Sequence, residues 1–247
     1  SLDYATRAFE LSLSYGDSAN YVRAGRMRGQ LLRKLDRLDE SLYILKRVLP
    51  TAHYNKLSEE KHILNTLAIV YTLKANYDKA LTYHFESLLI REREKNDEEI
   101  SIALNNIGFI YFKLKNFDRA LEYYTRALDI KRRINNRYDL DYLLINIGLC
   151  YSFKGEYKKA MKFIEEAFDV CKNNCDSALT MEGECSLGVS FFELSEYKQA
   201  KQHFEKSYRL AMQLDDKRFQ LENLIFLARI ASRTNEQKDA KALLYNA

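Results

Sequence analysis

A chain of 247 residues with 47% hydrophobic and 30% charged residues is too apolar for intrinsic disorder, and one proline with eight glycines leaves little to punctuate strands. A net charge of +4, from 39 basic and 35 acidic residues, lacks the basic bias of a nucleic-acid binder. No apolar run approaches the roughly 18 residues that span a bilayer, so the expectation is long amphipathic helices joined by short turns. In chain order, the first helix covers 3–15, and its amphipathic character at Ser1–Tyr15 argues against a signal peptide. Its Ala8-Phe9-Glu10-Leu11 reads like Ala127-Leu128-Asp129-Ile130, so residues 1–17 are expected to be the second half of a helix pair. Pairs follow at 19–35 with 38–54, 58–74 with 77–95, 98–114 with 117–134, 138–154 with 157–172, and 177–194 with 197–214. A closing pair at 217–233 and 237–245 makes 217–247 a second partial repeat, and both ends read as cut from a longer array. In the first full pair Pro50 should break or kink the second helix near Leu49. Arg28 there stands where the other units are apolar.

The pairs repeat. Tyr77-Asp78-Lys79-Ala80, Phe117-Asp118-Arg119-Ala120, Tyr157-Lys158-Lys159-Ala160 and Tyr197-Lys198-Gln199-Ala200 align without a gap at a period of 40 residues. Twelve residues before each alanine lies another small residue, Ala68, Gly108, Gly148 or Gly188, and three further on an aromatic, Tyr71, Tyr111, Tyr151 or Phe191. Gly29 and Ser41 continue the pattern upstream with an offset of 39. Glycine costs about 1 kcal/mol in a helix interior relative to alanine, so its recurrence at one position points to close packing of the two helices. Turns such as Lys115-Asn116 are too short for anything but an antiparallel pair. Asn and Asp clusters between pairs, such as Asn96-Asp97 and Asp215-Asp216, supply turn chemistry and helix caps.

This pattern of a small residue, an aromatic three later, and then aromatic-x2-Ala resembles the tetratricopeptide repeat across essentially the whole chain, most specifically over Tyr77–Tyr208. The tryptophan position of that family holds Leu64, Leu104, Leu144 and Leu224 but Glu184 in one unit. The proline that normally ends the second helix is replaced by Glu92, Arg132, Lys172 and Met212, which lengthens the repeat to 40 residues. The long form is similar to the repeats of Partner-of-Inscuteable-type scaffolds, kinesin light chains and bacterial Rap-type regulators. The resemblance implies an all-α superhelix of antiparallel helix pairs, running as a single array over 1–247 and right-handed. It also implies a concave face, lined by first helices, that binds a peptide or protein segment. On that face fall Asn65, Asn105, Asn106 and Asn146, whose amides can pair with a peptide backbone, and an apolar stripe of Phe109, Phe112, Leu149, Phe153 and Phe192. The alternative at this point is that the aromatics pack between repeats and the asparagines bridge helices. Arg23, Arg26, Arg33 and Lys34 form a charged end suited to an acidic segment or a free C-terminal carboxylate.

Catalysis finds no footing. His53, His62, His84 and His203 are scattered, with no partner at a motif spacing, and the carboxylate pairs fall on solvated helix faces. Cys150, Cys171, Cys175 and Cys185 match no common zinc spacing and read as reduced thiols of a cytoplasmic protein. The expected function is therefore a non-catalytic protein- or peptide-binding scaffold without cofactor, metal, membrane or nucleic acid, such as the sensor arm of a bacterial signalling or transcription protein. A self-associating assembly module and a nucleic-acid-binding repeat remain as alternatives.

Overall fold

The computed structural model describes residues 1–234. They form twelve α-helices and one short 3-10 turn at Lys172–Asn174, with no strand among the described residues. The helices are α1 (Leu2–Ser14), α2 (Ser18–Lys34), α3 (Leu38–Tyr54), α4 (Glu59–Leu73), α5 (Tyr77–Glu94), α6 (Asp97–Lys113), α7 (Phe117–Arg133), α8 (Leu140–Phe153), α9 (Tyr157–Cys171), α10 (Ser177–Glu193), α11 (Tyr197–Gln213) and α12 (Lys217–Arg233). Every one of these lies within two residues of the span read from the sequence. The helix expected at 237–245 falls outside the described residues.

The helices form two compact units, Ser1–Asn116 and Phe117–Ala247. In the first unit α2 packs on α3 and α4 on α5, with α1 against α2 and α6 against α5. In the second, α8 packs on α9 and α10 on α11, with α7 against α8 and α12 against α11. The fold is all-α, of the helical-repeat class built from consecutive packed helix pairs.

Local chemistry explains the pairing. After α4, the Asn76 N–H donates to the Tyr71 carbonyl at 2.8 Å and Ala75 takes a left-handed φ of 55°. This is the six-to-one closure that ends many helices. Glu156 to Tyr151 and Glu196 to Phe191 repeat it at 2.9 and 2.8 Å, with Gly155 and Ser195 in the left-handed position. Side chains of Asp17, Asn76, Asn96, Asp176 and Asp216 then accept N–H bonds at the starts of α2, α5, α6, α10 and α12.

The small residues sit where the helices touch. A Cβ on Gly148 would lie 2.6 Å from Ile164 Cγ1 and 3.2 Å from the Ala160 carbonyl oxygen. On Gly188 it would meet the Phe204 ring at 2.8 Å. The same contact recurs at Gly29, where a Cβ would come within 2.5 Å of Leu45, and Ser41 Oγ donates to the Gly29 carbonyl at 2.7 Å. That bond fixes the register of the first full pair. Arg28 fits there because its guanidinium lies 5.6 Å from the centre of the Phe9 ring, which Arg47 also approaches at 5.6 Å.

At Pro50 the helix does not break: α3 runs through it to Tyr54. Pro50 is exposed and contributes no N–H to the ladder. The helix closes normally beyond it, with Asn55 N–H donating to the Thr51 carbonyl at 3.2 Å. Glu184, the departure at the tryptophan position, is buried but compensated: its carboxylate accepts from His203 Nδ1 at 2.7 Å and Lys206 Nζ at 2.5 Å. Burial alone would push its pKa up, but these two bonds hold it below the ordinary value.

Candidate binding surface

In the first unit the first helices of successive pairs are α2, α4 and α6. α2 packs beside α4, and a side-chain bond joins α4 to α6: Asn106 Nδ2 donates to Asn65 Oδ1 at 3.1 Å. Asn65, Asn105, Asn106, Phe109 and Phe112 are all half-buried. Part of the asparagine row therefore bridges helices, as the alternative reading held. The bridge uses only one donor of Asn106 and one acceptor of Asn65, and each amide has two donors and an acceptor. The neighbouring Asn105 keeps its Oδ1 buried with no hydrogen-bond partner. Beside the row opens a cleft of about 220 Å³ bounded by Ile69, Thr72, His84, Asn106, Phe109 and Ile110. The Phe109 ring is covered on one side by Lys113 Nζ, 4.9 Å from its centre.

The charged end lies on α2. Arg23 is exposed and its Nε pairs with Glu59 Oε1 at 3.2 Å, so it is not an unengaged cation. Burial raises the Glu59 pKa, but the bonds from Arg23, its own backbone N–H and Ser58, with the Arg23 charge, together leave it lowered. Arg26 donates to Gln30 at 3.2 Å, while the Nε atoms of Arg26 and Arg33 are buried without partners. Lys34 is exposed. On α4, His62 is held below its ordinary pKa by burial and by the positive charges of Arg91, Arg26 and Lys61, against the pull of Glu99. The Arg23–Glu59 pair joins α2 to the first turn of α4, the helix that carries Asn65.

Below this surface Lys61, itself buried, is clamped by Glu94 and, at 2.8 Å, by Glu99. Arg91 donates to Ser87 Oγ and the Glu99 carbonyl, both at 3.2 Å, and Ser87 Oγ donates to the Lys61 carbonyl at 2.8 Å. This network ties α4, α5 and α6 together.

In the second unit the corresponding helices are α8, α10 and α12. Asn146 and Leu149 are half-buried on α8. Phe153 is exposed, though one face stacks on Phe117 at 5.2 Å. Phe192 is only 5% exposed. It packs edge-on against Phe226 at 5.5 Å, with the Arg229 guanidinium 4.6 Å from its centre. Phe192 thus joins α10 to α12 and offers a ligand little surface, an outcome the stripe pattern could not separate from exposure.

The cysteines also differ from expectation. The 3-10 turn after α9 brings the Cα atoms of Cys171 and Cys175 to 4.9 Å, inside disulfide range, and the two sulfurs are bonded. Helical spacing alone did not reveal this, because the turn tightens only beyond the helix end. Cys150 and Cys185 are free and buried; burial pushes the Cys150 thiol up to about 12 and raises Cys185 as well. Among the described residues no cluster of three or more His, Cys, Asp or Glu could hold a metal ion, and no helix is long and apolar enough to cross a membrane.

His84 is the residue that sequence reasoning passed over as scattered. A signal was present: with the 39-residue offset of the first full pair, positions 45, 84, 124, 164 and 204 form one column of the repeat, holding Leu45, His84, Tyr124, Ile164 and Phe204. All five are buried, and only at 84 is the side chain an imidazole.

Comparison with known proteins agrees with this architecture. The family profile for the tetratricopeptide repeat matches residues 61–133 and 99–173. Curated protein sequences give no match. Among solved structures, the signal transduction ATPase PH0952 from Pyrococcus horikoshii, described as having a tetratricopeptide repeat sensor, superposes with a TM-score of 0.80 at 16% identity. That match covers 99% of this chain and 38% of PH0952. The apo quorum sensor NprR from B. thuringiensis gives 0.78 at 19% identity, over 99% of this chain and 73% of NprR. A Rap protein complexed with Competence and Sporulation Factor gives 0.64 at 16% identity, over 93% of this chain and 68% of the Rap protein. At these identities the structures speak for the fold. The family match shows tetratricopeptide repeats over residues 61–173, and the 40-residue period, the glycine-mediated helix contacts and the solved structures show the same type of helical-repeat fold on either side of that stretch.

Proposed function

We propose that this protein is a non-catalytic binding scaffold whose first helices hold an extended segment of another polypeptide, as the sensor arm of a signalling or transcription regulator. The observation that carries the reading is the half-buried row Asn65, Asn105 and Asn106 on α4 and α6. It retains unused amide groups, including the buried and unpartnered Asn105 Oδ1, beside the apolar Phe109 and Phe112. An extended chain presents N–H and C=O groups that such amides satisfy, and apolar side chains that such rings cover. The half-partnered Arg26 and Arg33 on α2 suit an acidic segment or free carboxylate at one end of that ligand. Asn146 and Leu149 give α8 in the second unit the same polar-apolar combination. Proteins of similar fold described as a tetratricopeptide repeat sensor and a quorum sensor, and one solved in complex with a factor, support a sensing role.

The test is selection from a displayed library of random peptides by the parent protein. Truncating a central contact in such an interface costs about 2 kcal/mol, which is about 30-fold in affinity. The double change Asn105→Ala with Phe109→Ala should therefore weaken a selected peptide by at least about 30-fold while far-ultraviolet circular dichroism stays at the parent value. A parent that enriches no peptide, or a double variant that binds as the parent does, would overturn the reading.

A further inference from the structure

The cleft bounded by α4, α5 and α6 has a polar floor that the repeat does not require. In the column of buried second-helix residues, Leu45, Ile164 and Phe204 fill the space with apolar side chains, and Tyr124 buries a ring whose hydroxyl has no partner. His84 is equally buried, at 2% exposure, yet its Nδ1 has no hydrogen-bond partner. Leaving a polar atom buried and unpaired costs about 1–3 kcal/mol, a cost that an isoleucine at this position would avoid. Burial, and secondarily the positive charge of Arg91, depress the imidazole to about 4, so it is neutral near pH 7. Arg91 is itself engaged by Ser87 and Glu99 and does not offer a free charge to the cleft.

The lining defines the chemistry of an occupant. Ile69, Phe109 and Ile110 supply apolar walls, and three polar groups converge: the His84 imidazole, the Asn106 amide and the Thr72 hydroxyl. Thr72 Oγ1 donates its proton to the Ala68 carbonyl at 2.9 Å, so towards the cleft it can only accept. No ionisable side chain other than the neutral His84 bounds the space. A charged side chain entering it would lose its water with no counter-charge among the lining groups, the nearest cation being Lys113 on the Phe109 ring. An uncharged side chain with a hydrogen-bonding tip loses little and pairs with the unused groups.

We propose that this cleft is a specificity pocket for one uncharged, hydrogen-bonding side chain, a hydroxyl or a carboxamide, of the segment lying along the first unit. The assignment rests on the binding role proposed above and adds which residue that segment must carry. His84 forms the largely buried base of the pocket, and Asn106 joins recognition of the side chain to recognition of the backbone.

The experiment uses random peptides displayed to the full chain and to His84→Ile, the substitution that places at this position the residue found at 164. The parent should enrich peptides with one position confined to Ser, Thr, Asn, Gln or Tyr. His84→Ile should bind the parent's selected peptide about tenfold or more weakly and should shift that one position to aliphatic residues, the other preferences staying as they were. A second measurement does not depend on the variant. The ¹⁵N imidazole resonances of His84 in the parent should move when the selected peptide is added, and should not move when its polar residue is replaced by alanine. Identical preference and affinity in parent and variant, or a fixed charged residue at that position, would overturn the pocket and leave the binding role standing. If the parent enriches no peptide at all, the binding role falls and the pocket with it.

Discussion

Replacing His84 by isoleucine should change how stability depends on pH, in a direction the structure fixes. In the unfolded chain a histidine titrates near 6.5, whereas in the fold burial depresses His84 to about 4. Between these values the unfolded chain binds more protons than the folded one, so stability falls as pH drops. The loss begins near pH 6.5 and is complete near pH 4, below which it stays constant. A difference of about 2.5 pH units at 1.36 kcal/mol each gives about 3 kcal/mol. Isoleucine cannot titrate, so the variant should lack that loss and keep every other one, including those from Glu59, Glu99 and Glu184, whose lowered pKa values also make acid destabilising. Urea denaturation of parent and variant at pH 7.5 and pH 4, followed by circular dichroism, gives the difference directly. The parent should lose about 3 kcal/mol more than His84→Ile over that interval. Parallel losses would mean that His84 is solvated or paired in solution, and would remove the basis for a neutral, unpartnered imidazole.

Other substitutions test the packing and the turns. Gly148→Leu should overpack the contact with Ile164 and Ala160 and cost about 1–3 kcal/mol or more in chemical denaturation; an unchanged midpoint would place this glycine off the helix contact. Ala75→Gly should relieve a left-handed residue and raise the melting temperature slightly, the gain staying below about 1 kcal/mol because glycine also loosens the unfolded chain. Titration of denatured, unreduced protein with a thiol reagent should find two free thiols per chain, from Cys150 and Cys185, while four would exclude the Cys171–Cys175 bond. Arg33→Glu should slow association of a selected acidic peptide and weaken its salt dependence, with little change for a neutral one.

Much of this fold was legible because the repeat states the same packing rule several times. The small residues at 29, 148 and 188 could be read as helix contacts from recurrence alone, and each Cβ position is in fact occupied by a neighbouring side chain. Helix limits followed from Asn and Asp caps whose side chains do accept the expected N–H bonds. What failed depends on facts that period cannot encode. The Cys171–Cys175 bond depends on a 3-10 turn after α9. Phe192 looked like part of a groove stripe, but the face it presents is taken by Phe226 and Arg229 of the next helix. The asparagine row was visible, whereas its division into a helix bridge and a free remainder needed distances. His84 was hidden for a different reason. Motif spacing treats a lone histidine as uninformative, and only comparison down the column of Leu45, Tyr124, Ile164 and Phe204 marks it as out of place.

The central claim is that the first-helix face of the first unit holds a polypeptide segment. Residue-resolved chemical-shift mapping of the parent with a library-selected peptide tests it most directly. The account predicts that the largest shifts fall on the side-chain amides of Asn65, Asn105 and Asn106 and on the rings of Phe109 and His84, with the second helices α3 and α5 otherwise quiet. Shifts concentrated on the outer faces of α3 and α5, with the asparagine amides unmoved at saturation, would contradict it.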